Sequence, residues 1–214
     1  EYFELSSLQN NSNALINLGY LYYKGDGVDQ DYLKAKYYFE LSSKQSNSIA
    51  SIHLGYLYYT GQGVQLDYLK AKNYFELAAK QNNPFALNNL GILYYYGQGV
   101  QLDYLKSKSY FELAAEQRNS SAFYNLGRFY LNGKGIKQDY KKAKEYFDLS
   151  AKQLHPIALY TLGKLYFHGL GVEKDYLKAK DYFELSSYQN NSFAIVHLGK
   201  LYYYGYGVKQ DYLK

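Results

Sequence analysis

The sequence predicts an all-α fold made of six repeated helix pairs, and three observations carry that prediction. The first is a register of glycines. Leu18-Gly19 recurs as Leu54-Gly55, Leu90-Gly91, Leu126-Gly127, Leu162-Gly163 and Leu198-Gly199, each 36 residues after the last. A G-x-G follows each of them, from Gly25/Gly27 to Gly205/Gly207, and these positions use all 18 glycines. The second is a matching register of Asp-Tyr, from Asp31-Tyr32 to Asp211-Tyr212, and of Tyr-Phe, from Tyr38-Phe39 to Tyr182-Phe183. The third is apolar spacing of helical period, found twice in every repeat.

The first element of each repeat reads as a helix of roughly 13 residues, because Ala14, Leu18, Leu21 and Tyr22 stand at i, i+4, i+7 and i+8. Its start is marked by Asn11, Asn47, Asn83, Asn119 and Asn191 as N-caps, with His155 the exception. Pro84 and Pro156, the two prolines, fall at the first helical position, where a missing N–H costs nothing. Gly25 and its equivalents are placed to end the helix in the left-handed conformation. Val28 is the one apolar residue of the loop that follows, and it is expected to pin that loop to the core. The second helix starts at Asp31 as N-cap and presents Ala35, Tyr38, Phe39 and Ser42 on one face. Glu40–Lys44 and Glu76–Lys80 are expected to pair at i,i+4. Gly19 and its equivalents lie inside the first helix, at a cost of about 1 kcal/mol each relative to Ala. That recurrence predicts a compensation: a ring of the second helix, Tyr38 or Phe39, lying over the bare backbone.

Composition narrows the chemistry. A chain of 214 residues that is 47% hydrophobic has room for a sizeable core. Zero cysteine excludes a disulfide scaffold, a thiolate metal site and a thiol nucleophile. No apolar run approaches the ~18 residues that span a bilayer. The net charge of +5 is too small to argue for nucleic acid by itself. G-x-G here ends a helix, and the third glycine of a dinucleotide or kinase loop would fall at Gln30, so no phosphate-bearing cofactor is expected. His53, His155, His168 and His197 have no ligand spacing, and no Ser/His/Asp set or pair of acids stands outside the register. The expectation is a protein that is not an enzyme, with no metal. Asn10, Asn119 and Asn190 begin Asn-x-Ser sequons, which capping preference already explains. The absence of methionine, and the opening at Tyr2-Phe3 in the register of Tyr38-Phe39, read as a fragment cut mid-repeat at both ends. The missing cysteines and the absence of a visible signal favour the cytoplasm.

The pattern Ala14-x3-Leu18-Gly19-x-Leu21-Tyr22-x2-Gly25-x-Gly27-Val28-x2-Asp31-Tyr32-x2-Ala35-x2-Tyr38-Phe39-x2-Ser42 resembles the SEL-one-like repeat, a relative of the tetratricopeptide repeat. The resemblance covers the whole chain, 1–214, as a single array of about six repeats. It implies an α-solenoid, with paired antiparallel helices stacked in a right-handed superhelix, and an adaptor role in assembling protein complexes. There are departures. The family often has Trp where Tyr38 stands. It often has Gly where this chain has Asn10, Ser46, Asn82, Arg118, Leu154 and Asn190. Asn tolerates the left-handed conformation, whereas Arg118 and Leu154 do so poorly, which puts the turns before the fourth and fifth repeats in question. One branch of the family is cysteine-rich, secreted and disulfide-pinned, with β-lactam binding; zero cysteine argues against that branch.

Comparing the six copies with one another separates framework from freedom. The second helix barely changes, while the first varies at the positions of residues 13, 16, 17, 20, 23 and 24. Residues 13, 17, 20 and 24 share one stripe, which in a tetratricopeptide-like solenoid lines the concave groove. The residue-17 column is Asn17, His53, Asn89, Asn125, Thr161 and His197. Two readings fit it: polar groups satisfying a neighbouring repeat, or a ladder for an extended peptide's main chain. The residue-20 column runs Tyr20, Tyr56 and Ile92, then Arg128, Lys164 and Lys200. It is either a solvated face or a groove whose C-terminal half takes acidic segments, phosphorylated segments or a carboxylate terminus. Tyr96 and other first-helix tyrosines add rings, which suit interface hot spots. An AT-rich coding sequence would inflate the tyrosine count without choosing the columns. The expected function is a non-enzymatic scaffold that binds a peptide or partner protein. The rivals are single-stranded RNA binding and, behind it, hydrolysis of the cysteine-rich-branch type. Exposed Tyr2 and Phe3 with an unpaired last helix also suggest end-to-end self-association.

Overall fold

The computed structural model describes residues 11–213. Among them are eleven α-helices and no strand. The first helices of the repeats are α1 (Ser12–Lys24), α3 (Ser48–Thr60), α5 (Pro84–Tyr96), α7 (Ser120–Asn132), α9 (Pro156–His168) and α11 (Ser192–Tyr204). The second helices are α2 (Tyr32–Lys44), α4 (Tyr68–Ala79), α6 (Tyr104–Glu116), α8 (Tyr140–Ala151) and α10 (Tyr176–Tyr188). The chain divides into two compact units, the first ending at Ala114 and the second beginning at Ala115. Tyr2 and Phe3, on which the self-association reading rests, lie outside the described residues.

Each helix begins and ends for a local reason. The Asn11 side chain accepts from the Asn13 and Ala14 amides, and Asn47 and Asn83 do the same one and two repeats on. His155 substitutes through Nδ1, which accepts from the Ala158 amide at 3.3 Å. Asp31, Asp67, Asp103, Asp139 and Asp175 cap the second helices. Gly25 closes α1 at φ 78°, where its N–H donates to the Leu21 carbonyl at 2.8 Å.

The ring over the helix glycine is Phe39, not Tyr38. Phe39, Phe75, Phe111, Phe147 and Phe183 are at most 1% exposed, and each covers the glycine of its own repeat. A Cβ at Gly91 would stand 2.6 Å from Phe111 Cε1, well inside van der Waals contact. Tyr38 instead stacks on Tyr22, with centroids 5.7 Å apart and planes 7° from parallel. The same stack recurs as Tyr58–Tyr74, Tyr94–Tyr110, Tyr130–Tyr146 and Tyr166–Tyr182. A lysine from the start of the second helix caps each stack, from Lys34 over Tyr22 at 5.0 Å to Lys178 over Tyr166 at 5.5 Å. Around these rings pack Leu54, Leu57 and Ala35, then Leu90 and Leu93, in the first unit. In the second unit the equivalents are Leu159, Leu162 and Leu165, then Ala194 and Leu201. Buried Ser42, Ser150 and Ser186 join the two helices of a pair by donating to the carbonyls of Ser12, Ser120 and Pro156.

Two local expectations are corrected. The ion pairs are Lys36–Glu40, Lys72–Glu76, Lys108–Glu112, Lys144–Asp148 and Lys180–Glu184, so the carboxylates pair one turn upstream and not with Lys44 or Lys80. Lys144 also lies over the Tyr166 ring of the next repeat at 5.9 Å, which fixes its end of the pair. Val64, Val100, Val172 and Val208 pack onto the core as expected, but Val28 is 37% exposed. Val64 packs on the cluster of the preceding repeat around Phe39; for Val28 that repeat falls in residues 1–10, outside the described part.

The turns before the fourth and fifth repeats do not depart from the rest. Ser46, Asn82, Arg118, Leu154 and Asn190 all sit in the left-handed region, at φ between 57° and 61°. The N-cap that follows and the helix pair that precedes leave the chain one route, and Arg118 and Leu154 adopt it against a cost of about 1–2 kcal/mol each. Leu154 is 52% exposed, so its side chain recovers little of that cost by burial. Leu154→Gly is therefore expected to raise stability by about 1 kcal/mol, or about 2–4 °C in Tm. A thermal melt with an unchanged or lower midpoint would show that the turn is unstrained.

Candidate binding face of the first helices

The variable stripe is built differently in the two units. In the first, the residue-20 position of one repeat meets the residue-17 position of the next. The Tyr20 hydroxyl and His53 Nε2 share a hydrogen bond, and Asn89 Nδ2 donates to the Tyr56 hydroxyl at 2.8 Å. His53 lies against Phe39, with centroids 5.0 Å apart, and takes the Tyr20 ring edge-on at 4.4 Å. Burial, with Lys24 as the lesser cause, pushes the His53 pKa down to about 4, so the ring is neutral at pH 7. Asn89 and Asn125 are only 7% exposed, and Asn17 is half-buried.

Outside this line runs a rim of tyrosines held by glutamines of the G-x-G turns. The Tyr23 hydroxyl donates to Gln62 Oε1 at 3.0 Å, and the Tyr59 hydroxyl to Gln98 Oε1 at 3.1 Å. Each rim ring sits edge-on to a framework tyrosine: Tyr23 to Tyr32, Tyr59 to Tyr68, and Tyr95 to Tyr104. Tyr96 projects further and is 51% exposed.

In the second unit the stripe is basic over rings. The Arg128 guanidinium lies 5.8 Å from the Tyr124 centroid, and Lys164 Nζ lies 5.5 Å from that of Tyr160. The edge of Tyr160 meets His197 at 5.2 Å, and His197 Nδ1 hydrogen-bonds the Phe193 carbonyl at 3.0 Å. Burial chiefly, and then Lys200, Lys164 and His168, hold the His197 pKa below its usual value. Thr161 turns its hydroxyl back to the Ile157 carbonyl at 2.7 Å, while Lys200 is exposed. Beside Tyr160 opens an apolar cleft of about 500 Å³ formed by Pro156, Ile157, Tyr160 and Phe193.

One feature of this face escapes a reading by columns. None of the six first helices contains an aspartate or a glutamate; all 19 acids of the chain lie in the second helices, the turns and the N-terminal residues. Composition taken helix by helix carries that signal, and the whole-chain charge hides it. The first unit also has a cleft of about 990 Å³ that is lined mostly by the second helix α4, with Lys70, Tyr74, Glu76 and Leu77 among its residues. Among the described residues no group of three His, Asp or Glu side chains is placed to hold a metal ion, and no helix is long and apolar enough to cross a membrane.

The Sel1 repeat family model matches residues 12–47, 48–83, 84–119, 120–153, 156–191 and 192–214. The chain belongs to the Sel1 repeat family. Its helix pairs are Sel1 repeats, and its fold class is the all-α solenoid of that family. Among solved structures, a Sel1 repeat protein from Oxalobacter formigenes is 33% identical, with a TM-score of 0.87 over 94% of this chain and 83% of that one. A protective antigen of uropathogenic Escherichia coli strains, described as displaying an SLR fold, is 33% identical with a TM-score of 0.81. The match covers 99% of this chain, which spans only 45% of the antigen's length. An immunity protein from Pseudomonas aeruginosa shares the fold at 23% identity, with a TM-score of 0.65 over 87% of this Sel1 repeat chain and 71% of the other. Comparison with curated proteins finds no match.

Proposed function

We propose that this Sel1 repeat chain is a non-catalytic interaction scaffold that binds a peptide or partner protein on its first-helix face. The observation that carries the reading is the contrast between a repeated framework and the variable stripe laid over it. Every second helix repeats the same stack, lysine cap and buried phenylalanine, while the first helices change residue by residue at 20 and 24. In the first unit much of the residue-17 column serves the repeats themselves, through His53 and Asn89. The parts of the stripe assigned here to a partner are the ring edges, half-exposed Tyr96 and the basic residues. Rings of that kind supply large contact area for little lost entropy.

The test changes Tyr96, Arg128, Lys164 and Lys200 to Ala together and compares partner recovery with that of the parent chain. Tyr20 and Tyr56 are left in place, because removing either hydroxyl would strand a polar group at a cost of about 1–3 kcal/mol. Loss of recovery is expected. A second variant on the other face carries Leu33→Ser, Leu69→Ser and Leu105→Ser, whose parent residues are 56% to 70% exposed. Loss only in that variant would move the site to the second helices, and equal recovery by all three proteins would remove the assignment.

A further inference from the structure

We infer that the first-helix face of the second unit binds a carboxylate-rich, extended peptide segment with one acidic residue for each repeat. The inference rests on the first-helix reading and adds the chemistry of the partner. Its first support is the distribution of charge. Helices α7, α9 and α11 hold Arg128, Lys164, Lys200, His168 and His197 and not one carboxylate. The basic residues of such a face set up a positive field that no acid of the same helices offsets.

The second support is how the chain treats its other lysines. Where acids are available they are used: Lys144 pairs with Asp148 and Lys180 with Glu184 on the neighbouring second helices. Neither Lys164 nor Lys200 has a carboxylate partner among the described residues. Lys164 rests on the Tyr160 face, which orients the ammonium without neutralising it. His197, its pKa lowered chiefly by burial, adds a polar ring edge-on to Tyr160.

The third support is spacing, which selects carboxylates over phosphate. A single phosphate dianion is best held by a focal cluster or by an arginine fork. Here the bases stand one to a repeat, spread over successive first helices whose side chains reach one another, as Tyr160 and His197 do. An extended chain advances about 3.3–3.6 Å per residue. Acidic residues at every third position stand about 10 Å apart, and that is the spacing assigned to Arg128, Lys164 and Lys200. Three neutralised phosphates would also give RNA only a shallow salt dependence, with a slope of about −2.

The test is fluorescence anisotropy of the 214-residue chain with short labelled peptides at low salt. One peptide has Glu at every third position in a Ser/Gly background, a second has Gln at those positions, and a third has the same glutamates placed contiguously. The spaced Glu peptide is expected to bind at least about tenfold more tightly than the Gln peptide, and more tightly than the contiguous one. Lys164→Glu with Lys200→Glu is expected to weaken it about tenfold or more. Lys141→Glu with Lys152→Glu changes net charge equally at exposed positions in α8 and at its C-cap, and is expected to leave binding unchanged. If the first pair fails to fold, Lys200→Glu alone, at an exposed site, carries the comparison. Equal binding of the Glu and Gln peptides, equal losses in the two double variants, or tighter binding of oligouridylate would each overturn the inference. Failure of the Glu peptide while partner recovery still depends on Arg128, Lys164 and Lys200 would overturn it and leave the scaffold reading standing.

Discussion

Gly55→Leu is expected to abolish the native packing of the second repeat, lowering stability by about 3 kcal/mol or more and moving the urea midpoint down accordingly. Gly55 is in the middle of α3, and Phe75 Cδ1 lies 2.6 Å from where its Cβ would be. Phe75 is 1% exposed and wedged among Ala71, Ala78, Leu90 and Leu93, so the ring has no free space to enter. Overpacking of this kind usually costs about 1–3 kcal/mol, and the rest of a leucine side chain adds to it. Gly55→Ala makes the point more sharply. In an open helix that change gains about 1 kcal/mol from propensity; here the clash with Phe75 is expected to reverse the sign. Gly199 occupies the same place in α11, and nothing lies within 4 Å of its Cβ position. Gly199→Ala in the same 214-residue chain is expected to stabilise by about 1 kcal/mol. Opposite signs for two identical substitutions would establish that the ring, and not helix propensity, keeps the glycine. An unchanged midpoint for Gly55→Leu would end that account.

Acidification should destabilise the chain, and His53 should be the main cause. The His53 ring faces Tyr20, Tyr23, Tyr56 and Phe39, with Lys24 near enough to add to the effect of burial. Its pKa is about 4 in the folded chain against 6.5 for a free imidazole. Above about pH 6.5 both folded and unfolded chains hold it neutral, and its full contribution is present. Between 6.5 and about 4 the unfolded chain takes a proton that the folded chain refuses, so stability falls as the pH falls and levels off below. The expected loss is about 2–3 kcal/mol. His155 and His197 are shifted in the same direction and add to it, His155 also because protonation removes the lone pair that caps α9. Thermal midpoints at about pH 7.5 and about pH 4.5 measure the effect. His53→Asn places in α3 the residue that already bonds Tyr56 from Asn89, and it is expected to remove most of the difference. A slope as steep in that variant would assign the acid sensitivity elsewhere.

The repeat register, the caps and the glycine turns were legible because each is a local device. An N-cap acts two or three residues along the chain, and a helix face shows as a period of 3.6. The contacts that join one repeat to the next were not legible in that way. Tyr20 meets His53 and Tyr56 meets Asn89 at a separation of 33 residues, and Tyr23 reaches Gln62 across 39. A column reading lines up residues 36 apart, so it shows which positions vary but not that position 20 of one repeat touches position 17 of the next. The same limit left Tyr38 and Phe39 as equal candidates to cover Gly19, and put Glu40 with Lys44 instead of Lys36.

By itself, then, the sequence determined the all-α repeat architecture, the phase of every helix and the stripe on which the copies differ. These follow from backbone hydrogen bonding and from which side chains recur at helical spacing. Tertiary structure decided which members of that stripe are committed to neighbouring repeats, that Leu154 and Arg118 accept a left-handed turn, and that Lys164 and Lys200 have no carboxylate partner among the described residues. Each of these depends on how one helix pair sits against the next. Packing can impose a strained turn or occupy a polar side chain, and a single helix carries no record of the neighbour that does so.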